Sequence, residues 1–156
     1  MEALNHAARQ FILDILHSVN DLTLATIRAD GYPQATTVSY ANDGLTLYFA
    51  IGLDGQKAHN IQHNNKVSLT VTPAYRDWAH IKGLSMGGLA HFVRDPEETR
   101  HASEYMLRRF PQIKTLTAGT LNLPWPGAIF VKVAPQVISV LDYEKASATP
   151  SCMRLA

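Results

Sequence analysis

Residues 22–72 read LTLATIRADGYPQATTVSYANDGLTLYFAIGLDGQKAHNIQHNNKVSLTVT, a stretch in which β-branched runs alternate with turn-forming residues. Asp30-Gly31 is a strong hairpin signal, because glycine accepts positive φ without steric cost. Pro33 follows at a strand entry, where a missing N–H is tolerated. A second strand is predicted over residues 34–41, and Asn42-Asp43-Gly44 turns the chain again. The third strand, 45–51, places Leu45, Leu47, Phe49 and Ile51 on one face and Thr46, Tyr48 and Ala50 on the other. A glycine loop, Gly52-Leu53-Asp54-Gly55-Gln56-Lys57, leads into a short helix over 56–63 that stops at Asn64-Asn65. Val67, Leu69 and Val71 alternate as a fourth strand, ended by Pro73.

On the amino-terminal side, Phe11, Ile12, Ile15, Leu16 and Val19 recur at helical spacing from Ala8 onward, so one helix precedes the meander. On the other side, 78–93 reads as a long bent strand element, with Gly83, Gly87 and Gly88 inviting bulges. Asp95-Pro96-Glu97-Glu98 opens a helix, with Asp95 as cap, Pro96 in the first turn and acids at the positive end of the dipole. That helix is expected to reach Phe110. Residues 113–127 read as irregular, two strands follow at 129–133 and 137–141, and the tail after Lys145 has no periodic pattern. Neither an internal repeat nor a linker interrupts the chain, so 1–156 is read as one domain. Hairpin turns between the early strands disfavour a parallel doubly wound sheet. The fold class expected is α+β, mainly β: an antiparallel barrel with peripheral helices.

The 156 residues suffice for a real core, and 46% hydrophobic with 17% charged residues is an ordinary globular balance. A formal net charge of +1 leaves no broad basic footprint, so nucleic acid is not expected as a partner. No apolar run approaches the length needed to cross a membrane, and the start of the chain lacks a signal core. The single cysteine, Cys152, has no internal partner and fits a reducing compartment. The expectation is a soluble cytoplasmic protein.

The glycine loop lacks the spacing and following hydroxyl of a nucleotide triphosphatase loop. Free amides at a helix start beside Lys57 suit an anion; a solvated lysine on an ordinary strand-to-helix loop fits the same letters. His59 and His63 lie four apart on the short helix, a spacing that suits a metal, but no third ligand stands at a telling distance. His80 and His91 are read on a strand. No nucleophile-elbow or Ser-His-Asp pattern supports a hydrolase. Asp95, Glu97 and Glu98 are explained by helix capping, and no catalytic acid or base stands out.

The hairpin, the strand Gln34-Ala-Thr-Thr-Val-Ser-Tyr40, the strand Leu47-Tyr-Phe-Ala-Ile51 and the run Gln56-Lys57-Ala58-His59-Asn60-Ile61 together resemble the pyridoxamine 5′-phosphate oxidase-like family. Ile81-Lys82-Gly83-Leu84, Gly88-Leu-Ala-His91 before Asp95-Pro-Glu-Glu98, and Ile138-Ser-Val-Leu-Asp142-Tyr143 extend the likeness over roughly residues 10–145. The resemblance implies an FMN-binding split barrel, a homodimer with the cofactor at the interface, and oxidoreductase chemistry on a small-molecule substrate. By position it implies that Thr36, Thr37, Val38 and Ser39 line the flavin ring and ribityl chain. It places Ala50, Ile51 and Gly52 near the ribityl chain and phosphate, with Gln56 beside Lys57 and Lys57 paired to the phosphate. Trp78 is a candidate at the ring edge or partner subunit, or else a core residue. Trp125 is a candidate to reach across the interface into the cofactor site.

Oxidases of that family carry arginines where this chain has Ala35 and Gln56. Losing two bidentate phosphate forks argues against vitamin oxidase activity. It also leaves deazaflavin and haem as alternative cofactors, and a non-catalytic flavin carrier or sensor as an alternative role. Substrate choice is expected to sit in residues 73–80 and 112–127 and in the partner subunit.

Overall fold

In the computed structural model, residues 4–116, 122–145 and 151–154 are described. The helix α1, His6–Ser18, is capped by Asn5, whose side chain accepts from the Ala8 amide at 2.8 Å, and it buries Ile12, Ile15 and Leu16. β1 (Asp21–Ile27) and β2 (Pro33–Ser39) pair from Asp21↔Ser39 to Ile27↔Pro33. Between them Gly31 has φ 85°, and the Asp30 carboxylate accepts from Arg28 and from the Tyr32 amide. The hairpin signal in the sequence therefore corresponds to a real reversal.

The chain then forms β3 (Ala41–Asp43), β4 (Thr46–Gly52), α2 (Gln56–His63), β5 (Lys66–Val71) and β6 (Lys82–Phe92). These are followed by α3 (Pro96–Arg109), α4 (Gln112–Leu116), β7 (Ala128–Asp142) and β8 (Ser151–Arg154). All pairings are antiparallel, in the order β2-β1-β5-β6-β7-β4-β3, with β8 added on β7. The two edge strands β2 and β3 are separated in the chain by Tyr40 alone, so one bent segment passes from one edge of the sheet to the other. That connection curls the sheet into a split barrel. The expected α+β, mainly β antiparallel barrel with peripheral helices is the observed fold.

Tyr40 makes the bend. Its amide donates to Asn20 O at 3.1 Å, and its fully buried hydroxyl donates to Leu16 O at 2.6 Å. Burial pushes the phenol up to about 12, against a partial opposing effect of the nearby Arg109. Tyr48, on β4, is also pushed up to about 12, first by burial and then by the Glu98 carboxylate. Both phenols are more acidic in the unfolded chain than in the folded one. Their contribution is therefore complete below the ordinary tyrosine value and falls as pH climbs from about 10 toward about 12. Tyr40→Phe is expected to lower stability at neutral pH, through the lost hydrogen bond, and to shallow the alkaline decline. Urea midpoints measured across that pH range check both signs.

Several expectations are corrected. The single strand read over 34–41 is interrupted at Tyr40. The two strands read at 129–133 and 137–141 are one continuous strand, β7. Pro135 is accommodated because the register with β6 shifts between Gly87 and Gly88, a bulge where a missing N–H costs little. Gly88 is required there: a Cβ would lie 2.8 Å from Ala134 O. Residues 78–80 form a 3-10 turn rather than strand, which takes Trp78 and His80 off the sheet. The tail expected to lack structure pairs with β7 at Val137↔Arg154 through Val140↔Ser151.

Two apolar clusters result. The barrel interior holds Leu22, Leu24, Leu47, Phe49, Leu69, Met86 and Ile138, all at most 2% exposed. The opposite face of β4 carries Tyr48 and Ala50 into a second cluster with Met106 of α3 and its C-cap residue Phe110. β4 is thus covered on both sides, and α3 stands over its outward face.

Candidate functional site

Along β2 the side chains alternate: Gln34, Thr36 and Val38 turn toward the interior, while Ala35, Thr37 and Ser39 turn outward. β4 offers Ala50 and Gly52 on its outward side. A cavity of about 450 Å³ opens where these two strands approach across the split. Thr37, Val38, Ser39, Ala50, Ile51, Gly52, Lys57 and Trp125 line it, so eight of the residues singled out in the sequence meet in one place. Sequence reading did not supply the other wall: Met106 and Phe110 from the end of α3, with Gln112 and Ile113 of α4. Met106 and Phe110 stand four apart, a spacing that in the sequence reads only as a helix face packed on the core.

Three predicted residues stand elsewhere. Thr36 points inward, and its hydroxyl is buried without a hydrogen-bond partner among the described residues. Gln56 is at the start of α2, but its amide nitrogen turns to Asn60 Oδ1 at 2.8 Å. Trp78 is 77% exposed on its 3-10 turn, which rules out the core reading and leaves it outside the cavity lining. Ser39 lines the cavity while its hydroxyl donates to Asp21 at 2.6 Å.

Electrostatically the cavity is asymmetric. Lys57 lies in the first turn of α2, half-buried, and makes no ion pair or hydrogen bond among the described residues. The same turn contains no acid, and the cap residue Gly55 contributes no side-chain bond. The Gln56 and Lys57 amides have no intrahelical acceptor at that position. Free N–H groups, the positive end of the dipole and an ammonium therefore share one end of the cavity. Apolar side chains complete the lining, with Met106 and Phe110 each under 9% exposed and Trp125 at 47%. His59 and His63 lie on the exposed side of α2, and among the described residues no three metal-ligating groups gather.

A sequence-family model described as pyridoxamine 5′-phosphate oxidase matches residues 8–121. The chain belongs to that family. The match runs from within α1 past α4 and so includes both strands of the cavity and Lys57. Among curated proteins none matches the sequence. Among solved structures, a haem-binding protein from Mycobacterium smegmatis superposes with a TM-score of 0.78 at 17% identity, covering 97% of this chain and 60% of that one. A conserved hypothetical protein from Mycobacterium tuberculosis gives 0.72 at 22% identity, over 99% and 93% of the two chains. The haem storage protein HutZ from Vibrio cholerae gives 0.66 at 21% identity, over 81% and 88%. At these identities the likeness is one of fold. No helix among the described residues is long and apolar enough to cross a membrane.

Proposed function

We propose that this chain binds FMN in the cavity between β2 and β4 and acts as a cytoplasmic flavin-dependent oxidoreductase on a small molecule. The observation that carries the reading is the polarity of the cavity. Lys57, without a partner among the described residues, and the free amides of α2 share the lining with Met106, Phe110, Ile113 and Trp125. A planar heterocycle with a phosphate tail matches that mixture of cationic and apolar lining. Lys57 would hold the phosphate, Thr37 and the β2 backbone would border the ring, and the apolar wall would exclude water from its face. Bound flavin supplies hydride or electron transfer at its ring.

The cofactor site is proposed to be completed by a second copy of the chain. Thr37 is both in the cavity lining and at the start of a cross-strand row, Thr37-Thr23-Thr70-Ser85-Ser139, that runs over the outward face of the sheet. This uncharged row continues the cavity floor, so a copy seated on it would cover the ligand. A homodimer in sedimentation that is lost together with flavin affinity in Thr70→Arg supports this arrangement; a monomer that binds flavin fully excludes it.

Haem is the second reading, favoured by the haem-binding proteins among the structural neighbours. The described lining contains no histidine, cysteine or tyrosine to ligate haem iron, and one lysine faces what would be two propionates. Deazaflavin would use the same anion end. Titration of the purified chain with FMN, deazaflavin and haemin distinguishes them. Quenched flavin fluorescence with a perturbed visible band is expected for FMN; an unperturbed flavin spectrum alongside a new Soret band overturns the proposal. Flavin that binds but is never reduced by nicotinamide donors indicates a carrier or sensor instead.

A further inference from the structure

Directly beneath the start of α2 lies a polar cluster that no wall of the cavity uses. Asn60 is 1% exposed, one turn along the helix from Gln56. Its Nδ2 donates to Thr26 Oγ1 at 2.9 Å and to Gln34 Oε1 at 3.0 Å, and its Oδ1 accepts from Gln56 Nε2 at 2.8 Å. One side chain thereby joins α2 to β1, to β2 and back to the first residue of its own helix. Thr26, at 2% exposed, is sealed in with it.

A buried amide without partners is costly, whereas a fully satisfied one holds a single orientation. Here both amide hydrogens and the carbonyl oxygen are used. The short α2 has no side-chain cap to define its start, so this network adds the side-chain tether that its backbone bonds from Gly55 and Ala58 lack. Gln34 lies on the same strand as Thr37, three residues before it, so the helix start is referenced to the strand on the other side of the cavity. The network also explains Gln56. Its amide is committed inward to Asn60, which leaves Lys57 as the side chain of that turn lining the cavity.

We infer that Asn60 is the positioning residue of the anion end: it holds the first turn of α2 so that the free amides and the Lys57 ammonium converge on a phosphate. This inference rests on the flavin phosphate being bound there. It predicts that disturbing Asn60, which touches no ligand, selectively removes discrimination for the phosphate. Asn60→Leu keeps the γ-branched shape, in a somewhat larger side chain, and leaves Thr26, Gln34 and Gln56 without their shared partner. Its affinity for FMN is expected to fall about 10-fold or more, while that for riboflavin changes by less than about threefold. In the flavin-free chain, amide hydrogen exchange over residues 53–58 is expected to accelerate.

Equal loss for both flavins, or unchanged exchange in that segment, overturns the assignment, because a merely structural asparagine would produce the first and an idle one the second. Should Asn60→Leu fail to fold, Gln56→Leu breaks one bond of the network at an exposed side chain. There the FMN-to-riboflavin affinity ratio is expected to drop about threefold, and an unchanged ratio overturns the role. A wild-type chain that binds no FMN defeats the cofactor reading, while exchange in the ligand-free variant still decides whether Asn60 sets the helix start.

Discussion

Lys57→Ala is expected to weaken FMN binding about 10- to 100-fold while leaving riboflavin within about threefold of its original affinity. The selectivity is the point of the experiment. A charge-assisted contact to a phosphate is among the stronger polar interactions, and riboflavin lacks the group that would make it. Lys57 has no ion pair or hydrogen bond among the described residues, so none there compensates for its removal or is broken by it. The α2 amides and dipole remain in the variant, which is why some preference for FMN should survive. Raising the salt concentration should narrow the gap between the two flavins in the wild-type chain and have little effect on it in the variant. Fluorescence titrations of both ligands with both chains check this. A parallel loss for FMN and riboflavin would mean that Lys57 supports the cavity rather than the phosphate.

Where sequence reading succeeded, local chemistry and global fold agree. Asp30-Gly31 supplies a reversal wherever two strands flank it, and α2 runs over the predicted 56–63 because Gly55 and Asn64 bracket it. Asp95 caps α3 as expected, accepting from the Glu98 amide at 2.8 Å. The failures have non-local causes. Pro135 reads as a strand break, and only the shifted register opposite Gly88 makes it harmless. Tyr40 reads as one more alternating strand residue, yet it turns the chain because the Leu16 carbonyl lies within reach of its hydroxyl.

The site shows the same division. Thr37, Ala50, Gly52 and Lys57 were legible through family resemblance and strand alternation. Met106 and Phe110 were not, since nothing in their spacing separates a core face from a cavity wall. Trp78 reads as the start of the bent strand over 78–93, while Asp77 in fact caps a 3-10 turn there.

The wall formed by Met106 and Phe110 depends on how the end of α3 is held, and Arg109 holds it. Its guanidinium donates to Leu16 O at 2.7 Å, to Val19 O, and to Asn42 Oδ1 at 3.2 Å. It also lies 4.8 Å from the centre of the Tyr40 ring. These carbonyls belong to the end of α1, where the dipole is negative and a cation is favoured. One side chain thus ties α3 to α1, to β3 and to the bend that closes the barrel. Arg109→Met preserves the apolar stem and removes the hydrogen bonds, so it should lower stability by about 2–4 kcal/mol, or roughly 5–15 °C in Tm for a chain of this length. Arg109→Lys should recover only part of this, because a single ammonium cannot span the carbonyls on both sides of the fork. Its effect on ligands should contrast with that of Lys57→Ala. Loosening α3 displaces the apolar wall rather than the anion end, so FMN and riboflavin should weaken by the same factor. Thermal melts and paired titrations read the two effects separately. A variant that melts like the wild type would mean that the packing of Met106 and Phe110 alone anchors the helix.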